Sequence, residues 1–123
     1  NIEFMGPLDH EDAISIMKSS KISFQLSTSE GGASIAVNEA HACGLPVIAI
    51  NHPQGIDKEL ISQDVNGYWA ESLNPKEIYL ITKKLLNVET NQYMSSESRK
   101  SINCIDWTKV TNDLHNLFIK LKS

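Results

Sequence analysis

Between Ser27 and Ala40 the chain gathers glycines, small hydroxyl residues and two glutamates. Gly31 and Gly32 follow Glu30, and Ser34 opens a segment with helical spacing that contains Glu39. Glycine permits positive φ and lets a ligand come close to the backbone. A loop of this kind ahead of a helix leaves amide N–H groups and the positive end of the helix dipole facing outward. An anion such as a pyrophosphate is the natural occupant, although many glycine-rich loops between a strand and a helix hold none. Glu39 is flanked by Ala36, Val37, Ala40 and Ala42. A carboxylate among such neighbours calls for a partner, because an unpaired buried charge is costly. Hydroxyls of a sugar or a ribose would serve; so would a basic side chain or solvent.

The elements that must hold these residues alternate between apolar β-branched runs and helical stretches, the pattern of parallel βαβ units. Ile2 to Met5 reads as a strand ended by Gly6-Pro7. Asp9 can cap a helix whose buried face is Ala13, Ile14 and Met17. Ile22 to Leu26 is the next strand, and the helix from Ser34 to Cys43 stops at Gly44. Val47 to Ile50 is a continuous apolar run, typical of a strand covered on both faces. A short helix is expected near Asp57 to Ser62, then a turn at Asn66-Gly67 and a strand at Tyr68 to Ala70.

The remainder reads as helical. Pro75 suits a first turn, with Ile78, Ile81, Leu85 and Leu86 as its stripe. A weaker stripe runs from Thr90 to Asn103, and Asp106-Trp107 opens a last helix with Val110, Leu114, Leu117, Phe118 and Leu121 on one side. The expected architecture is α/β: a Rossmann-like parallel sheet with flanking helices over 1–72 and a helical C-terminal tail over 73–123. In such sheets ligands sit beyond the carboxyl ends of the strands. That places the loops Gly6 to Asp9, Ser27 to Ser34 and Asn51 to Asp57 at one edge.

Composition narrows the class. The 123 residues are 41% hydrophobic and 21% charged, ordinary for one soluble globular domain. A net charge of -4 argues against a nucleic-acid partner. The chain starts at Asn1 and not at methionine, as a processed or excised piece would, and its first residues do not have the pattern of a signal peptide. Its apolar runs fall far short of the ~20 residues that span a bilayer. Two lone cysteines, Cys43 and Cys104, fit free buried thiols in a reducing, cytoplasmic setting. No Asp/His cluster has metal-ligand spacing.

Ser29-Glu30-Gly31-Gly32, together with Asn38-Glu39-Ala40 through Gly44-Leu45-Pro46-Val47-Ile48-Ala49, resembles the signature of family-4 retaining glycosyltransferases of the GT-B fold. Phe4-Met5-Gly6, Gly55-Ile56 with Glu59-Leu60-Ile61, Asn66-Gly67-Tyr68 and Asp106-Trp107 resemble further family pieces in the right order. The resemblance implies the donor-binding portion of a retaining, metal-independent transferase that uses a UDP- or GDP-linked sugar as substrate and needs no cofactor. By it Glu30 is the catalytic-site glutamate that holds hydroxyls of the transferred sugar, and Glu39 accepts hydrogen bonds from the ribose. Gly31, Gly32, Ala33 and Ser34 would offer backbone amides to sugar and diphosphate, and Gly6 would line the diphosphate side.

Two departures qualify this. Gly31 to Asn38 separates the glutamates by one residue more than the family usually has, which could be absorbed locally or could shift Glu30 off the sugar. The family's diphosphate-clamping arginine and lysine, and its N-terminal acceptor domain, would precede Asn1, so the resemblance implies half a site, inactive alone. A non-catalytic GT-B-like subunit is the alternative, and a sugar-nucleotide epimerase a weaker one. Among other residues, His52 is a loop histidine at the ligand edge, against which a solvated role stands. His41 reads as structural, and Trp69 and Trp107 as core. Lys83-Lys84 and Lys120-Lys122 read as solvated helix faces, with peripheral membrane association as the rival.

Overall fold

The computed structural model describes residues 1–30, 32–103 and 105–122. Its order is α1 (His10–Ser19), β1 (Ser23–Gln25), α2 (Ile35–Ala42), β2 (Val47–Ile50), a 3-10 turn (Lys58–Leu60), β3 (Gly67–Ala70), α3 (Pro75–Leu85), α4 (Val88–Ile102) and α5 (Trp107–Lys122). The strands form a parallel sheet in the order β1-β2-β3, with Ser23 opposite Val47 and Val47 opposite Gly67. This is the α/β class expected, with helices on both faces.

β2 explains why. All four of its residues are buried, and its side chains alternate between two cores. Val47 and Ala49 join Val37, Ala40, Leu45, Ile56 and Ile61 on the α2 side. Ile48 joins Tyr68, Leu85 and Met94 on the side of α3 and α4. Each fully buried aliphatic chain of this kind contributes roughly 1.5–3 kcal/mol. Met94 and Ser98 are the buried residues of α4, one helical turn apart, which is why its apolar stripe is weak in sequence.

Caps set the helix bounds. Asp9 accepts from the Asp12 amide, Asn74 from Lys76 and Asn87 from Thr90. α2 ends in a Schellman arrangement: Leu45 N–H donates to Ala40 O and Gly44 N–H to His41 O, with Gly44 at φ +80. Arg99 lies over that glycine and donates to the Cys43 carbonyl.

Several expectations are corrected. Ile2 to Met5 is not a strand; Ile2 is 86% and Phe4 93% exposed. A strand needs a ladder, and among the described residues no strand lies beside it. The left-handed turn residue before β3 is Asp64 (φ 63), while Gly67 belongs to the strand. Buried Asn66 is a brace, accepting from the Ser62 amide and donating to Leu60 O. Trp107 is 83% exposed and packs no core, and α5 has no buried residue, since its stripe meets no covering element among the described residues. Trp69 does pack on the core, half-buried, and its indole N–H donates to Ile61 O. Cys43 is a free, half-buried thiol; the reading of Cys104 lies outside the described residues.

Candidate functional site

The carboxyl end of β1 leads into Ser27-Thr28-Ser29-Glu30, and that loop is fastened to its neighbour. Glu30 N–H donates to Gln54 O at 3.0 Å, Asp57 N–H donates to Gly32 O at 2.9 Å, and Gly32 pairs with Ile56 as a parallel bridge. The loop is therefore held by backbone to the segment that follows β2. Gly32 has φ +116, a conformation for which glycine is suited. Gly31, assigned to the donor site from sequence, lies outside the described residues.

Ser34 is buried and caps α2, its hydroxyl accepting from Val37 N–H at 3.4 Å. Its side chain is thus committed to the helix. Asn38 N–H returns to Ser34 O, so Ile35 and Ala36 carry the amides that the helix leaves to outside acceptors. Ala33 is exposed beside them. Gly6, at φ +67 and open on all sides, turns the chain ahead of α1.

The glutamates differ in their surroundings. Glu30 is exposed and accepts from Gln25 Nε2 at 2.5 Å. Glu39 is not the buried charge its apolar neighbours suggest. Its side chain is 31% exposed, because the face of α2 that carries Glu39 and exposed Ile35 turns away from the core. Its nearest ionic partner is His10, whose Nδ1 lies 3.6 Å from Glu39 Oε1. That distance suits an ion pair when the imidazole is protonated, and is too long for a good hydrogen bond. The sequence offered one signal for His10, its position directly after the α1 cap and the Gly6 loop.

His52 shapes its own turn: its Nδ1 accepts from Gln54 N–H and its carbonyl from Gly55 N–H. Beyond β2 and β3 a pocket of about 300 Å³ is lined by Asn51, Lys58, Gln63, Trp69 and Glu71, with the Asn51 amide bound to the Glu71 carboxylate. Neither Glu30 nor Glu39 lines it. Among the described residues no three His, Cys, Asp or Glu side chains converge as metal ligands, and no helix is long and apolar enough to cross a membrane.

A loop braced ahead of a helix, at the carboxyl edge of a parallel sheet, stands where open α/β sheets commonly take their ligands. The sequence model of the glycosyl transferases group 1 family matches residues 1–101, and the chain belongs to that family. It is 29% identical over 122 residues to the uncharacterized glycosyltransferase MJ1069 of Methanocaldococcus jannaschii, covering 98% of this chain and 31% of the relative. It is also similar to the crystal structure of Anabaena Alr3699/HepE in complex with UDP, with TM-score 0.72 and 18% identity. The same protein in complex with UDP-glucose gives 0.70 and 19%. Each structure covers 85% of this chain and 29% of HepE, and likeness at that identity establishes the GT-B type of fold. The chain spans less than a third of the length of these relatives.

Proposed function

We propose that this chain is the donor-binding portion of a retaining, metal-independent transferase of the family-4 type, using a UDP- or GDP-linked sugar. The observation that carries the reading is the loop from Glu30 to Ser34, fastened to the segment after β2 at the start of α2. Breaking the anomeric C–O bond leaves negative charge on the nucleotide diphosphate. Fixed amides at a helix N-terminus stabilise that charge without reorganising. By the family resemblance Gly31, Gly32, Ala33 and Ser34 add backbone amides to those of the helix start, and Gly6 borders the same anion. Glu30 takes hydroxyls of the sugar, and Glu39 takes the ribose hydroxyls. The UDP and UDP-glucose held by Anabaena HepE support a nucleotide sugar as the ligand.

The reading divides the chain into a sheet portion over 1–72 and a helical tail over 73–123. The diphosphate clamp belongs to an earlier part of the donor domain and the acceptor to a separate N-terminal domain of the same polypeptide, so this portion alone is inactive. A hexosyl group and a cytoplasmic site complete it, with the Lys83-Lys84 and Lys120-Lys122 faces solvated and peripheral membrane contact as their rival role.

Calorimetric titration with UDP, GDP and ADP tests the proposal. Saturable binding of one nucleotide is expected, weakened roughly ten- to a hundredfold by Glu39→Ala, the loss expected for hydrogen bonds to a charged group. Unchanged affinity in that variant would remove Glu39 from the site.

The longer spacing between the glutamates, and the engagement of Glu30 by Gln25, favour a second reading as a non-catalytic sugar-nucleotide-binding or protein-binding subunit. Turnover by the full-length protein that disappears on Glu30→Gln decides against it.

A further inference from the structure

Behind the donor loop, on the other flank of α2, lies a pocket of about 280 Å³. Two elements give it hydrogen-bond acceptors. From α2 come His41, only 1% exposed, and Asn38; their Nε2 and Oδ1 atoms are buried and make no hydrogen bond. His41 has a backbone hydrogen bond to Asn66. A neutral imidazole that donates through one nitrogen accepts through the other, so unpartnered Nε2 is assigned as the acceptor. From the 3-10 turn and its cap come the carboxylates of Glu59 and Asp57.

The rest of the lining is Leu60, Ile102 and Ile105, which are apolar, and Ser101, whose hydroxyl donates to Ser98 O. It also contains the last turn of α4, whose carbonyl end carries negative partial charge. No Lys or Arg lines this pocket among the described residues. Lys58, between Asp57 and Glu59 in sequence, lines the pocket beyond β2 and β3 instead, and near the α4 wall Lys100 pairs with Glu97 at 2.6 Å and Arg99 with Cys43 O and Ser95 Oγ. A buried acceptor without a donor costs free energy, so a site with two of them, two carboxylates and an aliphatic wall selects its guest. The guest must carry several N–H donors, positive charge and an apolar stem.

We propose that this pocket binds an alkylguanidinium or alkylammonium group. A guanidinium offers five N–H donors, enough for the buried pair and for both carboxylates. The same chemistry is carried by a free amine and by an arginine or lysine side chain of a polypeptide. Glu30, Glu39 and Ser34 do not line this pocket, and its test reads amine binding at His41, not nucleotide binding.

The probes are butylguanidinium, butylammonium and N-acetylarginine amide, with tetramethylammonium as a cation lacking N–H. The readout is the 15N shift of His41 Nε2 in long-range proton–nitrogen correlation spectra, assigned with His41→Asn. A saturable shift with the butyl cations and not with tetramethylammonium is expected. Asp57→Asn with Glu59→Gln should weaken it roughly tenfold, the scale of two partly exposed charge contacts, without loss of helical signal. Asn at 57 keeps an oxygen to cap the 3-10 turn. Binding of N-acetylarginine amide as well assigns the site to a polypeptide side chain; binding of the butyl cations alone assigns it to a free amine. No saturable shift, an equal shift with tetramethylammonium, or no effect of the double variant overturns the proposal and leaves a pocket filled by water.

Discussion

His10, at the start of α1, and Glu39, midway along α2, face each other with Nδ1 and Oε1 3.6 Å apart. Their side chains are 72% and 31% exposed, so water screens the contact and its strength is modest. Its consequence is orientation: a long carboxylate side chain is steered to one side of α2. Under the donor reading, His10→Ala should weaken nucleotide binding about two- to fivefold, the range of exposed ion pairs. Stability should stay within about 0.5 kcal/mol of the wild type, as for most surface changes. Calorimetry with the preferred nucleotide measures the first and urea unfolding the second. An identical Kd would mean that His10 has no part in presenting Glu39.

Gly32 and Gly67 should resist substitution for opposite reasons. A Cβ at Gly32 would meet no atom within 4 Å, but φ +116 is strained for any other residue. Gly32→Ala should therefore cost about 1–2 kcal/mol through backbone strain alone. At Gly67 a Cβ would run into the Val47 carbonyl oxygen of β2 and lie 3.0 Å from Ile61 Cγ2. Relief requires β2 and β3 to separate, so Gly67→Ala should cost about 3 kcal/mol or more. Denaturant midpoints give the order. If Gly32→Ala proved the more damaging, the loop and not the sheet would limit stability.

Much of this arrangement was legible because local and tertiary demands agree. Val47 to Ile50 is apolar throughout, and it is covered on both faces. Ser34 and Gly44 carry the chemistry of a helix start and stop, and α2 lies between them. What escaped depends on neighbours distant in sequence. Ile2 to Met5 has the composition of a strand, but composition does not supply a ladder. Glu39 sits among alanines, yet which side of α2 turns outward is decided by how the helix packs on β2, and its contact with His10 follows from two helices meeting. Trp107 shows the same limit: an aromatic side chain tends to be buried only where another element arrives to cover it.

Ser34 combines two roles, and its removal should separate them. The hydroxyl caps α2 through Val37 N–H, while its backbone belongs to the candidate anion site. Ser34→Ala leaves the backbone in place and removes the cap, with an expected loss of about 1 kcal/mol. Ser34→Thr retains an acceptor at the same position and should recover part of that loss. Thermal unfolding of both variants checks this. Equal destabilisation by Ala and Thr would show that packing around the buried side chain outweighs the cap.

His41 should make stability depend on pH below neutrality. Burial pushes its imidazole pKa below the ordinary 6.5, against a smaller opposite effect of its hydrogen bond to Asn66. The folded chain thus takes up this proton only at lower pH than the unfolded chain does. Between the two pKa values the unfolded state holds more protons, so stability rises with pH there and falls as the solution is acidified. Above 6.5 both states are neutral at His41 and its contribution is constant. The slope attributable to one proton is at most about 1.4 kcal/mol per pH unit. His41→Asn keeps a donor for the Asn66 carbonyl but cannot titrate, so it should flatten the curve below 6.5 even if the variant is less stable overall. Urea unfolding across that range, for both proteins, measures the difference. Parallel curves would mean that His41 is not the group whose protonation opposes folding.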